Sequence, residues 1–270
     1  MLIDGHVHTP FCPHGTKDVL DDYVERALSI GYTEITFTEH APLPEGFADP
    51  TPLKDSAMKR EDLEQYFFEI DKVKNKYKGR IRIHTGLEVD YIEGFEKETA
   101  AFLDQTGKNL DDAILSVHFL KDRNGDYSCV DYSPANFEKM AGHYGSVDKV
   151  YENYYRTVLK SIEANLGLYK PKRIGHITLV HKFQLKYPPE KTFTNEIHHI
   201  LEKICSCGYE IDCNGAGTAK PLCRETYPPS NVIEKAADMG IPLIYGSDAH
   251  QVKELGQGMN FIRKSLHAAD

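Results

Sequence analysis

The sequence predicts an α/β fold, a distorted (β/α)7 barrel with a metal site at the C-terminal ends of its strands. Short apolar runs alternate with longer segments of helical periodicity along the whole chain, and strands that alternate with helices pair in parallel through crossovers. Because the C-terminal strand ends meet at one face of such a barrel, side chains placed there are expected to converge. Six of the seven predicted strands end in potential transition-metal ligands, namely His6 and His8, Glu39 and His40, Glu88, His118, His176, and Asp248 with His250.

The strands are predicted from short apolar runs bounded by polar residues or turn signals. In chain order they cover 2–3, 34–38, 81–89, 112–117, 173–175, 209–212 and 242–245. The sixth strand, 209–212, is the one to which no metal ligand is assigned.

Helices are predicted where apolar residues recur every three or four positions. One long amphipathic helix carries a stripe of Leu63, Phe67, Ile70 and Val73 and ends at Gly79. The predicted helices are 18–30, 59–78, 95–105, 134–141, 147–166, 192–207 and 230–239. Segment 120–133 has no clear period and is expected to form a loop over the site. No linker, charge block or repeat divides the chain, so residues 1–270 are predicted to form a single domain.

Composition restricts the class of protein. A chain of 270 residues that is 40% hydrophobic can bury a sizeable core, and its net charge of -9 argues against a general nucleic-acid binder. An anionic substrate is still compatible, because bound metals can supply local positive charge. No run approaches the roughly 18 apolar residues of a membrane helix, and the N-terminus lacks the pattern of a secretory signal.

The six cysteines form no paired framework. Reduced thiols in a cytoplasmic enzyme fit this pattern best. Cys205 and Cys207 are read as free thiols rather than as a metal-binding pair. Cys12 lies between two candidate ligands and is expected to reach the site.

The candidate ligands suit a catalytic metal site. Residues two apart in a strand point the same way, so His6 and His8 can hold one ion from one side. Imidazole and carboxylate ligands together suit zinc, iron or manganese, and the absence of obvious cysteine ligands favours a catalytic over a structural site.

Each candidate also has a structural interpretation. His118 or His176 alone could be a hydrogen-bonded interior histidine, Glu39 a solvent-facing acid, Asp248 a helix cap and His14 a turn residue. The joint pattern favours the metal site. His181 is expected near the mouth with Lys182, and the remaining histidines are read as structural, namely His84, His143, His198, His199 and His267.

At this point the chain resembles a known family, the polymerase and histidinol phosphatase (PHP) metallohydrolases, and within it the monofunctional histidinol-phosphatases. The resemblance covers nearly the whole chain, with the motifs in the family's order. The residues that carry it are Asp4-Gly5-His6-Val7-His8, Thr38-Glu39-His40, Gly86-Leu87-Glu88, Ser116-Val117-His118, Gly175-His176, Gly246-Ser247-Asp248-Ala249-His250, Tyr151 to Tyr155, and Asn214 to Pro228.

The resemblance implies three divalent metal ions, with zinc, iron or manganese left open. The first would be held by His6, His8, Glu88 and Asp248. The second would share Glu88 and add His118 and His176. The third would be held by His14, His40 and His250. Glu88, Asp248 and His250 are expected to be the catalytic residues.

The resemblance also implies hydrolysis of L-histidinol phosphate to L-histidinol and phosphate in histidine biosynthesis. Metals in such a site lower the pKa of a bound water to about 7 and neutralise phosphoryl oxygens. Glu88 is expected beside the attacking hydroxide, and Asp248 to orient it or accept its proton. The chain has neither a Cys-x5-Arg loop nor an Asp-x-Asp-x-Thr motif, so hydrolysis without a covalent intermediate is expected.

The residues that bind the substrate are less well defined. Ala219 stands where related phosphatases tend to carry arginine before a Lys-Pro pair, so phosphate contact is expected from Lys220, Arg224, Lys182 or Arg156. The amine and imidazole of histidinol phosphate would require carboxylates or aromatic faces, for which the candidates are Glu45, Asp49, Tyr151 and Tyr155.

Two other functions remain open. One is a PHP-type phosphoesterase acting on another substrate, such as phosphotyrosine or a nucleotide, with a DNA end disfavoured by the acidic charge. The other is a non-catalytic metal-binding barrel that serves as a scaffold or regulator. Oligomeric state is left open.

Overall fold

The structure is a computed structural model, and it describes residues 2–268. Its main sheet contains seven parallel strands in the order β1-β2-β3-β4-β7-β8-β9, and β5 and β6 form a separate antiparallel pair. The strands are β1 (Ile3–Val7), β2 (Glu34–His40), β3 (Arg82–Asp90), β4 (Asp112–Ser116), β5 (Phe119–Lys121), β6 (Tyr127–Cys129), β7 (Arg173–Ile174), β8 (Glu210–Asn214) and β9 (Leu243–Gly246).

The sheet curves round until its first and last strands meet. Val7 at the end of β1 forms a parallel bridge with Ala249, just after β9. The His8 amide donates to Ala249 O at 2.9 Å, and the Asp248 amide donates to His6 O at 2.8 Å. The predicted seven-stranded β/α barrel is therefore confirmed, and its closure joins the first ligand pair directly to the last.

Amphipathic helices connect the strands. They are α1 (Leu20–Ser29), α2 (Leu63–Lys76), α3 (Glu96–Thr106), α4 (Pro134–Tyr144), α5 (Val147–Glu163), α6 (Thr194–Cys207), α7 (Ser230–Asp238) and α8 (Met259–Ala268). In α2 the buried face centres on Tyr66 rather than on Phe67, which is only half-buried. The Tyr66 hydroxyl donates to Phe37 O at 3.0 Å and to Gly86 O at 2.7 Å, so the helix is hydrogen-bonded to both strands beneath it.

One buried cation links strands across the barrel interior. Arg173 on β7 is 3% exposed. Its Nη1 donates to Gly5 O on β1 at 2.8 Å, and its guanidinium pairs with Asp112 on β4. A buried charge is tolerated when it is paired and hydrogen-bonded in this way.

Two elements differ from the sequence prediction. Segment 120–133, expected to be a loop, contains most of the β5–β6 hairpin, whose turn is held by the Asp122 carboxylate accepting from Asn124 N at 2.8 Å and Asp126 N at 2.9 Å. Strands of three residues are too short to show a period of two. Helix α8 was not predicted. Within residues 2–268, no helix has both the length and the apolar character needed to cross a membrane.

Candidate metal centre

The structure brings all nine candidate metal ligands to one face of the barrel. Seven histidine rings form a continuous cluster in which neighbouring centroids lie 3.9 to 6.2 Å apart. His14, which lies on the loop after β1, joins the cluster 5.1 Å from His40. Six of the nine line a single cavity of about 390 Å³, namely His14, His40, His118, His176, Asp248 and His250.

Glu88 lies at the centre of this cluster and is 2% exposed. Its two carboxylate oxygens face two different groups of histidines. Oε2 lies 3.1 Å from His40 Nδ1, 3.4 Å from His6 Nε2 and 3.6 Å from His8 Nε2. Oε1 lies 2.9 Å from His176 Nε2 and 3.9 Å from His118 Nε2. A carboxylate in this position can bridge two cations.

Asp248 lies beside His6 and His8, as Glu88 does. Its Oδ1 lies 3.0 Å from His8 Nε2 and 3.7 Å from His6 Nε2. Its Oδ2 accepts a hydrogen bond from Asn214 Nδ2 at 3.1 Å. The residue has φ of 53°, in the left-handed region that aspartate and asparagine tolerate better than most residues.

Three groups of side chains have potential ligand atoms within 4.8 Å of one another. The groups are His6, His8 and Asp248; Glu88, His118 and His176; and His8, Cys12, His40 and His250. The first two lie within the sets that the family resemblance implies. The third contains His40 and His250 but takes Cys12 in place of His14, whose Nε2 lies 3.2 Å from His250 Nε2. Cys12 therefore does reach the site.

The first two histidines have the hydrogen bonds expected of metal ligands. His6 Nδ1 lies 2.9 Å from Asp212 Oδ2, and His8 Nδ1 lies 3.3 Å from Glu39 Oε1. Both Nε2 atoms are buried and face carboxylate oxygens of Glu88 and Asp248 at 3.0 to 3.7 Å. One ring nitrogen held by a carboxylate while the other faces further ligand atoms is the usual arrangement of a ligating histidine. These residues therefore fit a divalent metal ion.

Three further rings are oriented in the same manner. His118 Nδ1 lies 2.8 Å from Asp90 Oδ1, His14 Nδ1 lies 2.7 Å from Asp55 O, and His250 Nδ1 lies 3.0 Å from Asp248 O. Glu39 is not the solvent-facing acid that its sequence position allowed. Its carboxylate faces His8 and Thr9.

Sequence reasoning missed Asp212, Asp90 and Asn214 as supporting residues. Asp212 and Asn214 lie in β8, the strand to which no ligand had been assigned, so the strand-end signal used for the other six could have found Asp212. The contact between Asp212 and His6 requires glycine at position 246. A Cβ there would lie 2.4 Å from Asp212 Oδ1 and 2.5 Å from His6 Cβ.

The electrostatics of the cluster favour cations. Burial raises the pKa of Glu88, but the surrounding histidines outweigh it and hold that pKa well below its usual range. Burial lowers the pKa of His8, yet Asp248 and Glu39 raise it to about 9. His118 behaves likewise, reaching a pKa of about 10 beside Asp90 and Glu88. A divalent cation would satisfy the same demand for positive charge.

The rings of His14 and His250 behave in the opposite way. Burial and the neighbouring His40 lower the pKa of His14 to about 4. Burial and His8 hold the pKa of His250 well below its usual value. Neutral imidazoles are the form that binds metal, so these rings are available as ligands.

Two of the four expected phosphate-binding residues line the cavity. Lys182 and Lys220 do so, and Lys182 Nζ lies 2.8 Å from Asp131 Oδ2. Arg156 instead lines a second cavity on the other face of α5, because its neighbours Tyr154 and Tyr155 occupy the buried face. Arg224 is exposed in a turn with φ of 66° and does not line the metal cavity.

The residues suggested for the amine and imidazole of the substrate also lie elsewhere. Tyr151 and Tyr155 are buried in α5, and the Tyr155 hydroxyl lies 2.8 Å from His181 Nε2. His181 Nδ1 in turn lies 2.6 Å from Glu225 Oε1, so His181 is engaged beside α5 and does not line the metal cavity. Glu45 is exposed outside that cavity.

Replacing Asp212 with asparagine is expected to weaken metal binding about 10- to 100-fold, because the carboxylate that orients His6 is lost while the shape of the side chain is kept. Titration of the metal-free protein with zinc or manganese measures the effect. Asp22→Asn, on the exposed face of α1, is the matched control. An unchanged affinity in Asp212→Asn would show that His6 needs no orienting carboxylate.

Comparison with known proteins gives consistent results. The model of the PHP domain family matches residues 4–216. The chain is 48% identical over 260 residues to the histidinol-phosphatase of Bacillus subtilis (strain 168), covering 94% of this chain and 95% of that protein. A crystal structure from Listeria monocytogenes, described as that of a histidinol phosphatase, superposes with a TM-score of 0.91 at 38% identity and covers 96% of this chain and 98% of that chain.

A more distant structure has the same fold. It is the histidinol phosphate phosphatase of Lactococcus lactis subsp. lactis, crystallised with zinc, L-histidinol and phosphate. The TM-score is 0.71 at 21% identity, with 98% of this chain and 93% of that chain covered.

Proposed function

Since the chain belongs to the PHP domain family, we propose that it is a metal-dependent phosphatase that hydrolyses L-histidinol phosphate to L-histidinol and phosphate. The observation that carries the chemistry is the position of Glu88, whose two oxygens face separate groups of histidines. The substrate is supported by the Bacillus subtilis relative, a histidinol-phosphatase that matches over nearly its whole length. The reaction belongs to histidine biosynthesis.

The proposed cofactor is a set of three divalent ions, with zinc, iron and manganese all compatible with the donors. His6, His8, Glu88 and Asp248 would hold the first, Glu88, His118 and His176 the second, and His14, His40 and His250 the third. Such ions supply a water of pKa near 7 and neutralise charge on the phosphoryl group.

The side chains around the ions have separate tasks. Lys182 and Lys220 line the cavity and bind phosphoryl oxygens. Asp248, fixed through Oδ2 by Asn214, orients the attacking water or accepts its proton. Glu88 lies between the two histidine groups, with one carboxylate oxygen beside each group. His250 lines the same cavity, and we propose it as the third catalytic residue beside Glu88 and Asp248.

The proposed partner is therefore a small phosphate monoester rather than a nucleic acid, in keeping with the net charge of -9. We also propose that the enzyme works in the cytoplasm. All six cysteines are free thiols in the structure, the state expected in a reducing compartment.

A substrate panel tests the proposal. The enzyme is expected to turn over L-histidinol phosphate at least about tenfold better in kcat/KM than phosphotyrosine or a nucleoside monophosphate, because the cavity must discriminate among groups beyond the phosphate. Chelation should abolish this activity, and zinc or manganese should restore it. Equal rates on all esters would contradict the assigned substrate, and a chelator-insensitive rate would contradict the metal chemistry.

A further inference from the structure

The acidic residues that line the metal cavity are unequally engaged. Five carboxylates lie on its wall, and four of them contact other protein groups. Asp90 lies against His118, Asp131 against Lys182, Asp248 against Asn214, and Glu254 accepts from His250 N and Gln251 Nε2. The fifth is Asp55, whose carboxylate makes neither a hydrogen bond nor an ion pair with any residue in the range 2–268.

Asp55 is nonetheless held in a defined place. Its loop is folded around the Asp49 carboxylate, which accepts from Thr51 N and Thr51 Oγ1, both at 2.8 Å, and from Ser56 N at 3.1 Å. The Asp55 carbonyl accepts from His14 Nδ1 at 2.7 Å. The backbone is therefore anchored on both sides, and Asp55, a half-buried residue that lines the cavity, has no partner for its carboxylate within residues 2–268. Asp49 is occupied within the loop and is not available to a ligand.

The cavity also holds a cation that can meet phosphate. His14 and His118 line it beside His40, with ring centroids 5.1 and 5.5 Å from the His40 ring. Asp55 contacts His14 through its carbonyl. Lys182 lines the same cavity and pairs with Asp131. An acidic side chain that has no protein partner within residues 2–268 and a cation that can meet phosphate therefore share one cavity.

From this arrangement we infer that the Asp55 carboxylate binds the protonated amine of the substrate and so selects phosphate esters of amino alcohols. The inference rests on the proposed function and adds to it the residue that recognises the amine of the substrate. In L-histidinol phosphate the ammonium lies on the carbon next to the one that bears the phosphate ester. An ester bound with its phosphate among the cations therefore presents the ammonium to the same cavity wall, where a free carboxylate can accept its N–H groups.

The test compares Asp55→Asn with the wild-type holoenzyme on two substrates. One is L-histidinol phosphate, and the other is its des-amino analogue, 3-(imidazol-4-yl)propyl phosphate. Asparagine removes the charge but retains the backbone carbonyl that holds His14. For L-histidinol phosphate, KM should rise about tenfold, since a charge-assisted hydrogen bond is lost at a partly solvated position. The kcat value should change by less than about twofold, since the contact is made equally in substrate and transition state.

The des-amino analogue should be hydrolysed equally well by wild type and Asp55→Asn. Glu45→Gln, in the same loop but exposed and outside the cavity, is the matched control and should leave both substrates unaffected. Metal content should be the same in all three proteins.

The outcomes separate this inference from the proposed function. An equal loss on both substrates would mean that Asp55 acts through His14 or the loop, and an unchanged KM would mean that it does not meet the amine. A wild-type enzyme that hydrolyses both esters equally well would also overturn the inference, while leaving the phosphatase activity in place. A wild-type enzyme inactive on both would contradict the proposed function itself.

Discussion

Glu88→Gln is expected to reduce kcat for L-histidinol phosphate by about 10³-fold or more, equivalent to roughly 4 kcal/mol of transition-state stabilisation. The carboxylate is 2% exposed, and its two oxygens approach five histidines between them. Glutamine has the same shape but offers one acceptor and one NH2 donor. Its amide group can no longer provide a negative oxygen to each of two cations, so metal content should fall with the activity.

Three measurements define this result. They are kcat with saturating metal, metal per chain after dialysis, and the melting temperature of the metal-free protein. Because the substitution is isosteric, the metal-free protein should fold. Glu64→Gln, exposed on α2, is the matched control and should behave as wild type. Turnover near the wild-type value in Glu88→Gln would rule out a carboxylate bridge.

His8→Ala and Asp248→Asn are each expected to abolish phosphatase activity, with a loss of the same order, while the chain stays folded. The two side chains meet at 3.0 Å between Nε2 and Oδ1, and neither can be replaced by a neighbour in the first ligand group. Asparagine suits position 248 as a test because it tolerates the positive φ of 53°. A loss of activity there reports on the charge rather than on the backbone.

Circular dichroism and kinetics of the metal-loaded variants check this pair. His143→Ala, an exposed histidine away from the cluster, is the control for removal of an imidazole. Near-wild-type turnover in either His8→Ala or Asp248→Asn would contradict the mechanism. If His8→Ala does not fold, Asp248→Asn decides the test, because asparagine has the same shape as aspartate.

Much of the fold could be predicted from local patterns. The alternation of apolar runs and helical periods predicted all seven barrel strands and their parallel pairing. The β5–β6 hairpin was missed because its three-residue strands carry no measurable period. In α2 the predicted stripe was correct at Leu63, Ile70 and Val73, whereas Tyr66 is buried in place of Phe67, because either aromatic residue suits a buried face.

The candidate site was predictable to the extent that strand ends could be recognised. His6, His8, Glu88 and Asp248 are placed by the parallel sheet itself, so knowing the strand ends was enough to expect them together. Asp212 escaped notice although it also lies near the end of a strand, since a carboxylate that contacts a ligand resembles any other strand-end acid. The role inferred for Asp55 could not be seen in the sequence, because the inference depends on which of five acidic residues at the cavity has no protein partner within residues 2–268.

The sequence by itself determined the barrel and the chemical identity of the candidate metal ligands, because both follow from local periodicity and from residue type at strand ends. Only the tertiary structure decided which basic residues face the cavity. The phase of α5 turns Arg156 away, and the fold of distant segments brings Lys182 and Lys220 to the cavity of the candidate metal centre. A side chain's direction depends on contacts between residues far apart in the chain, which no local pattern contains.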